Sequence, residues 1–172
     1  MATIREKIRN IALLTLALAA ATIIGAWAFE IIGGYKPCAL CLQQRWAYYF
    51  SLPVLALVAI RLSTSVADID VVRWGFIAVA LAMVLNAGLG VYHSGVEWGW
   101  WAGPDACSAG AGLSGGLPDL SKARVINCSD AQWRFLGLSF AGWNVVISLV
   151  LIAMALTGAR RTYNYGSSSV SQ

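Results

Sequence analysis

Residues 11–32 read IALLTLALAAATIIGAWAFEII, a stretch whose one charged residue, Glu30, falls near its end. About 20 helical residues cross the hydrocarbon core of a bilayer, so this segment is long enough to span one. Three more stretches read the same way: 42–60, with Arg45 near its start and Pro53 inside, 74–92, and 140–156. Backbone polar groups must be satisfied within the segment in lipid, so the spans are predicted as helices. The two-residue alternation of a membrane barrel is absent, as is any internal repeat. Composition agrees. Of 172 residues 59% are hydrophobic and 12% charged, about half the charged fraction of ordinary soluble domains. Mean hydropathy is +0.68. Disorder, coiled coil and collagen are excluded, and too few charges exist to coat a soluble globule. The prediction is an all-α integral membrane protein: one four-helix domain over 1–160, then a disordered cytoplasmic tail over 161–172.

Four spans put both termini on one side. That side carries Arg5, Lys7, Arg9, Arg61, Arg73, Arg160 and Arg161 against Glu6, Asp68 and Asp70, a net of +4. The other side carries Lys36, Arg45, Lys122, Arg124 and Arg134 against Glu30, Glu97, Asp105, Asp119 and Asp130, a net of zero. The positive-inside rule therefore predicts cytoplasmic termini, with loops 33–41 and 93–139 outside. The overall charge of +4 has this topological origin. No cluster of Lys and Arg alternates with aromatics, so no nucleic-acid partner is expected. Ala26-Trp27-Ala28 also fits a signal-peptide cleavage site, but three further spans favour a retained anchor.

Seven of the eight tryptophans fall at or beyond the outer boundary, and Trp74 alone near the inner one, as in an aromatic belt. The second outer loop is far longer than the others. Its middle holds Gly103, Pro104, Gly110, Gly112, Gly115, Gly116 and Pro118 and is expected to be mobile. Ser129 followed by Gln132 reads as a capping box, predicting a short interfacial helix with Trp133, Phe135 and Leu136.

All four cysteines, Cys38, Cys41, Cys107 and Cys128, lie on the outer side. Cysteines kept out of the cytoplasm usually mean disulfides, and four of them allow three pairings. Pro37 suits a helix start, so Cys38-Ala39-Leu40-Cys41 opens the second span. Steps of three and four bring Cys38, Cys41 and Arg45 to one helical face. A helix N-terminus and a nearby cation favour thiolate, the species that exchanges disulfides, and burial opposes it. A four-cysteine zinc site would need both pairs to converge, and Cys107 and Cys128 lack the close spacing such sites favour, so no metal is expected. Cys107 and Cys128 could also be an inert loop staple, worth about 3 kcal/mol by loop-closure entropy. Arg45 could snorkel to the interface, yet an ionisable group in a span is a functional candidate. His93, the only histidine, sits at the outer end of the third span. Glu30 and Glu97 are expected to be solvated or interfacial.

The segment Lys36-Pro37-Cys38-Ala39-Leu40-Cys41, with Arg45 four residues on, resembles the bacterial disulfide-bond formation protein B (DsbB) family. So do the two loop cysteines and the Gln132-Trp133-Arg134-Phe135-Leu136-Gly137-Leu138 stretch before the last span. The match covers nearly the whole chain in order and spacing.

The resemblance implies a quinone-dependent oxidoreductase that reoxidises a periplasmic DsbA-type thiol oxidase. Electrons would pass to the membrane quinone pool, ubiquinone or menaquinone. It implies that Cys107–Cys128 is the disulfide that meets the partner, with Cys107 attacked first. Cys128 would then attack the other pair at Cys38, releasing Cys41 as the thiolate that faces the quinone. Arg45 would hold a quinone oxygen or that thiolate. His93 matches a family histidine near the quinone once a small loop-length difference is allowed. Gln44 stands where some members carry Glu. Two other classes remain: a four-helix reductase of the vitamin K epoxide reductase type, separated by net electron direction, and a transporter with structural disulfides, which Asn86 and Asn144 alone support weakly.

Overall fold

The computed structural model describes residues 3–64, 68–104, 107 and 128–170. Of the glycine-rich middle of the long loop, read above as mobile, Gly103 and Pro104 are among them and the other residues named lie outside. Among the described residues four helices are long and apolar enough to cross a membrane, and the protein is a multi-pass membrane protein. They are α1 (Ile4–Ile31), α2 (Ala39–Ser63), α3 (Ile69–Glu97) and α4 (Phe140–Val170). α1 packs on α2, α2 on α3, α3 on α4 and α4 back on α1, which closes the bundle.

Each helix outruns the apolar stretch that predicted it. Hydropathy reads only the part that lipid covers, whereas caps and charged turns extend the helix beyond it. Thr3 and Glu6 cap α1 reciprocally, so the turn with Arg5, Lys7 and Arg9 is helical. Asp68 caps α3 by accepting from the N–H groups of Asp70 and Val71. The predicted disordered tail is corrected: α4 continues through Arg160 and Arg161 to Val170, with Arg73 of α3 stacked 4.8 Å over the Tyr163 ring.

The outward faces are apolar, with Ile24, Trp46, Leu81 and Leu85 well exposed. In water each such side chain would forfeit about 1.5–3 kcal/mol of burial, so lipid is their solvent. Inward, α1 presents Ile8, Ala12, Thr15, Ala19 and Ile23 at steps of three and four. Small residues there let the neighbouring backbones approach, the main source of packing where lipid removes the hydrophobic drive. Tyr48 O–H donates to Asn144 Oδ1 at 2.7 Å, and Asn86 Nδ2 donates to Asn144 Oδ1 at 3.1 Å and Ser148 Oγ at 3.0 Å. These bonds tie α2, α3 and α4 together inside the bundle, so the two asparagines weighed above for a transporter are interhelical links.

The α3–α4 interface is the most extensive. A Cβ at Gly158 would lie 2.6 Å from two ring carbons of Phe76, which is fully buried. Gly158→Ala is expected to destabilise the bundle by about 1–3 kcal/mol, the usual cost of overpacking. Thermal unfolding of the detergent-solubilised protein should show a lower midpoint; an unchanged midpoint would mean the interface yields freely.

The short helix predicted from Ser129 and Gln132 is corrected too. The segment is a hairpin, β1 (Arg134–Phe135) paired antiparallel with β2 (Leu138–Ser139). Leu136 and Gly137 form its turn at φ 50° and 82°, a primed geometry that suits strand twist. Instead of capping a helix, the Gln132 amide donates to the Lys36 carbonyl at 2.9 Å and joins the α1–α2 loop to the segment before α4. Trp133 stacks on Phe140 at 4.8 Å and Phe140 meets Phe29 edge-on at 4.9 Å. The hairpin is thereby seated over α1 and α4.

Candidate functional site

Cys38 is the N-cap of α2: its Sγ accepts from the Cys41 N–H at 3.3 Å. This places both sulfurs on one side of the first turn, 3.2 Å apart and unbonded. The end of α3 brings His93 to them, with Nε2 3.5 Å from Cys38 Sγ. The other ring nitrogen, Nδ1, lies 2.9 Å from the Gln44 side-chain amide. His93 and Gln44 are both buried. The Cys38 thiol is held below the ordinary thiol range, first by its hydrogen bond with the Cys41 thiol, then by His93, with burial opposing. In the dithiol the negative charge therefore favours Cys38; the Cys41 thiolate that the resemblance implies belongs to a different state, in which Cys38 is bonded to Cys128. An N-cap sulfur accepts from the first turn, and that position belongs to Cys38.

The loop pair is bonded, Cys107 to Cys128, with Cα atoms 5.3 Å apart. This pairing matches the resemblance and removes the loop cysteines from any four-cysteine metal site. Both sulfurs are buried in one cluster with Cys38, Leu40 and Val96, and Cys41 and Tyr92 pack against it. Aromatic contacts deliver the loop there. Trp101 stacks parallel on Tyr92, and its Nε1–H donates to the Tyr92 carbonyl at 2.7 Å. The Tyr92 hydroxyl donates to the Ala102 carbonyl at 3.0 Å. Trp101 lies against Gly95, where any Cβ would overlap its ring.

Arg45 differs from the expectation. Sequence spacing showed no acid on its own face, but Glu30 of α1 reaches across, and Arg45 Nη1 donates to Glu30 Oε2 at 2.6 Å. The Arg45 side chain is 13% exposed and Glu30 37%. Glu30 is thus an ion-pair partner, and Arg45 keeps further donors of its guanidinium fork for another group. Glu97, expected to be solvated or interfacial, has a buried side chain. Its side chain is 5% exposed and its Oε1 is 3.8 Å from His93 Nε2. Its Oε2 has no hydrogen-bond partner among the described residues. The i,i+4 spacing of His93 and Glu97 was the available signal for this pair; Glu30 with Arg45 had none.

A cavity of about 330 Å³ opens beside these groups. Cys38, Cys41, Arg45, His93, Cys128, Tyr48, Asn144 and Ile147 are among the residues that line it. Small-ligand sites are of this size, apolar with a few placed polar groups. Asn144 Nδ2 has no hydrogen-bond partner among the described residues and is a spare donor on its wall. The wall offers apolar side chains together with the donors of Arg45 and Asn144. The structure thus gathers Cys38, Cys41, Arg45, His93 and Cys128 at one cavity, with Cys107 in the cluster beside it.

Residues 8–158 match the family model described as disulfide bond formation protein DsbB. Relatives named disulfide bond formation protein B are similar along most of their length. The protein from Albidiferax ferrireducens is 31% identical, covering 80% of this chain and 82% of its own. The protein from Methylococcus capsulatus is 29% identical, covering 86% and 92%. The protein from Verminephrobacter eiseniae is 26% identical, covering 91% and 90%. No solved structure matches the chain.

Proposed function

The chain belongs to the disulfide bond formation protein DsbB family, and from that premise we propose that it oxidises a soluble periplasmic DsbA-type protein and delivers the electrons to membrane quinone. The family serves disulfide bond formation by thiol oxidoreduction. The observation that carries the finer reading is the contiguity of a loop disulfide, a helix-start dithiol and an apolar cavity bearing a cation.

In this reading the partner's thiolate attacks Cys107 and frees Cys128. Cys128 shares a buried cluster with Cys38, so its attack on a Cys38–Cys41 disulfide needs little movement of the helices. That attack releases Cys41 at the cavity wall, one turn from Arg45. A bound quinone would take up two electrons and two protons, matching what one dithiol gives. His93, 3.5 Å from Cys38 Sγ, is placed to hold a proton leaving that sulfur. Arg45, shielded on one side by Glu30, presents its remaining donors to negative charge at the cavity. The long loop lets the Cys107–Cys128 pair meet a soluble protein while its aromatic anchors keep it near Cys38.

Two experiments test this. A Cys128→Ser chain should accumulate a mixed disulfide between Cys107 and a soluble periplasmic dithiol protein; recovery of internal disulfides alone would make the loop pair a staple. Orientation is tested separately. The charge count predicts that impermeant maleimide labels the reduced cysteines in cells whose outer membrane alone is permeabilised. Labelling only after the inner membrane is breached would invert the topology and overturn the oxidase reading with it.

A further inference from the structure

We propose that the reduced Cys38–Cys41 pair, together with His93 and Glu97, is a binding site for a thiophilic divalent cation of the zinc and cadmium class, which would hold the pair as dithiolate and block its oxidation. The inference stands on the geometry of the reduced pair and does not depend on the quinone reading.

The ligand atoms of Cys38, Cys41 and His93 all lie within 4.8 Å of one another. Zinc–sulfur and zinc–nitrogen bonds of about 2.3 and 2.0–2.1 Å put tetrahedral neighbours roughly 3.3–3.8 Å apart. The sulfurs are 3.2 Å apart and Cys38 Sγ is 3.5 Å from Nε2, so closing around a cation takes only small rotations. The histidine is held as metal-binding histidines usually are, with its second nitrogen fixed by a neighbour. Here that neighbour is the buried Gln44 amide, 2.9 Å from Nδ1. As placed, Gln44 Nε2 donates to Nδ1, which leaves the ring proton on Nε2; turning the amide over lets its oxygen accept from Nδ1–H and frees the Nε2 lone pair for a cation.

Glu97 stands outside the tight trio of Cys38, Cys41 and His93 and would become the fourth donor by swinging its carboxylate toward the sulfurs. It is one turn beyond His93, its carboxylate is 3.8 Å from Nε2, and its side chain is 95% removed from solvent by the 5% exposure. Its Oε2 has no hydrogen-bond partner among the described residues. A buried carboxylate oxygen left without a partner is costly unless a cation or proton meets it. Cys₂His with one further oxygen donor is an ordinary zinc set. Binding displaces two thiol protons and moves no electrons. The oxidised pair offers no thiolate, so the site exists only in the reduced enzyme and competes with reoxidation.

The full chain carrying Cys107→Ser and Cys128→Ser, in detergent and reduced with a phosphine, keeps only these two thiols. Titration with Cd²⁺ should raise a thiolate-to-cadmium charge-transfer band that saturates at about one equivalent, and Zn²⁺ should displace it. Oxidising the pair should abolish the band. Glu97→Gln should weaken binding about tenfold and His93→Ala about a hundredfold. An affinity unchanged in either variant contradicts the four-donor site, since any close dithiol chelates without them. In the parent chain, Zn²⁺ should slow alkylation of Cys38 and Cys41, and a chelator should restore it. Alkylation at an unchanged rate overturns the proposal even if the double variant folds poorly.

Discussion

Cys41→Ser is expected to abolish steady-state oxidation of a soluble dithiol partner, lowering turnover by about ten-thousandfold or more. Losses of that size follow removal of the atom that carries a covalent step. The step needs both sulfurs of the helix pair, because without Cys41 there is no Cys38–Cys41 disulfide for the freed Cys128 thiolate to attack, and the electrons stop in the reduced loop pair. The loop disulfide remains intact, so one equivalent of partner dithiol should still be oxidised in a burst. The measurement is partner oxidation under single-turnover and steady-state conditions. Turnover at the parent rate in Cys41→Ser would make the helix pair a bystander. Cys38→Ser should fail equally in steady state, and it also removes the sulfur that His93 contacts at 3.5 Å.

Arg45→Ala is the second large effect, about a hundred- to thousandfold in turnover, or roughly 2.7–4 kcal/mol, as for loss of one preorganised donor. The Glu30 pairing refines this. Removing the cation also leaves Glu30 unpaired beside the cavity, which adds an unfavourable charge where negative charge must develop. Arg45→Lys keeps the charge but loses the planar fork, so it should retain partial activity with a raised KM for quinone. Glu30→Gln should cost much less than Arg45→Ala, because Glu30 is 37% exposed and water can replace its half of the pair. Exchange between partner and Cys107 should survive in all three. Parent rates in Arg45→Ala would reduce Arg45 to an interfacial anchor with Glu30 as its counterion.

The four spans were legible because lipid imposes a long apolar run that few other structures need. Their ends were not, since a helix leaving lipid is held by caps such as Thr3 with Glu6, which hydropathy does not register. The cysteine face was legible because Cys38, Cys41 and Arg45 sit on one helix at steps of three and four. Contacts between helices were not: Glu30 meets Arg45 from α1, and Gln44 meets His93 from α2 to α3. Nothing in local spacing marks such pairs. The Ser129 and Gln132 pattern misled because Gln132 finds the Lys36 carbonyl in another loop. Tertiary bonding there outweighs a capping signal worth about 1 kcal/mol. Leu136 at positive φ also runs against its own preference. The adjoining Gly137 and the aromatic contacts around Trp133 and Phe135 hold the turn instead.

The central claim is that two cysteine pairs conduct electrons from a protein dithiol to quinone. It is tested most directly by mixing the purified chain with a reduced periplasmic DsbA-type protein and a soluble quinone analogue in the absence of oxygen, and following both reactants. One quinone should be reduced for each dithiol oxidised, with neither reaction proceeding in steady state in Cys38→Ser, Cys41→Ser, Cys107→Ser or Cys128→Ser. Dithiol oxidation that continues without quinone consumption, or quinone reduction that survives loss of any one of the four sulfurs, would contradict it.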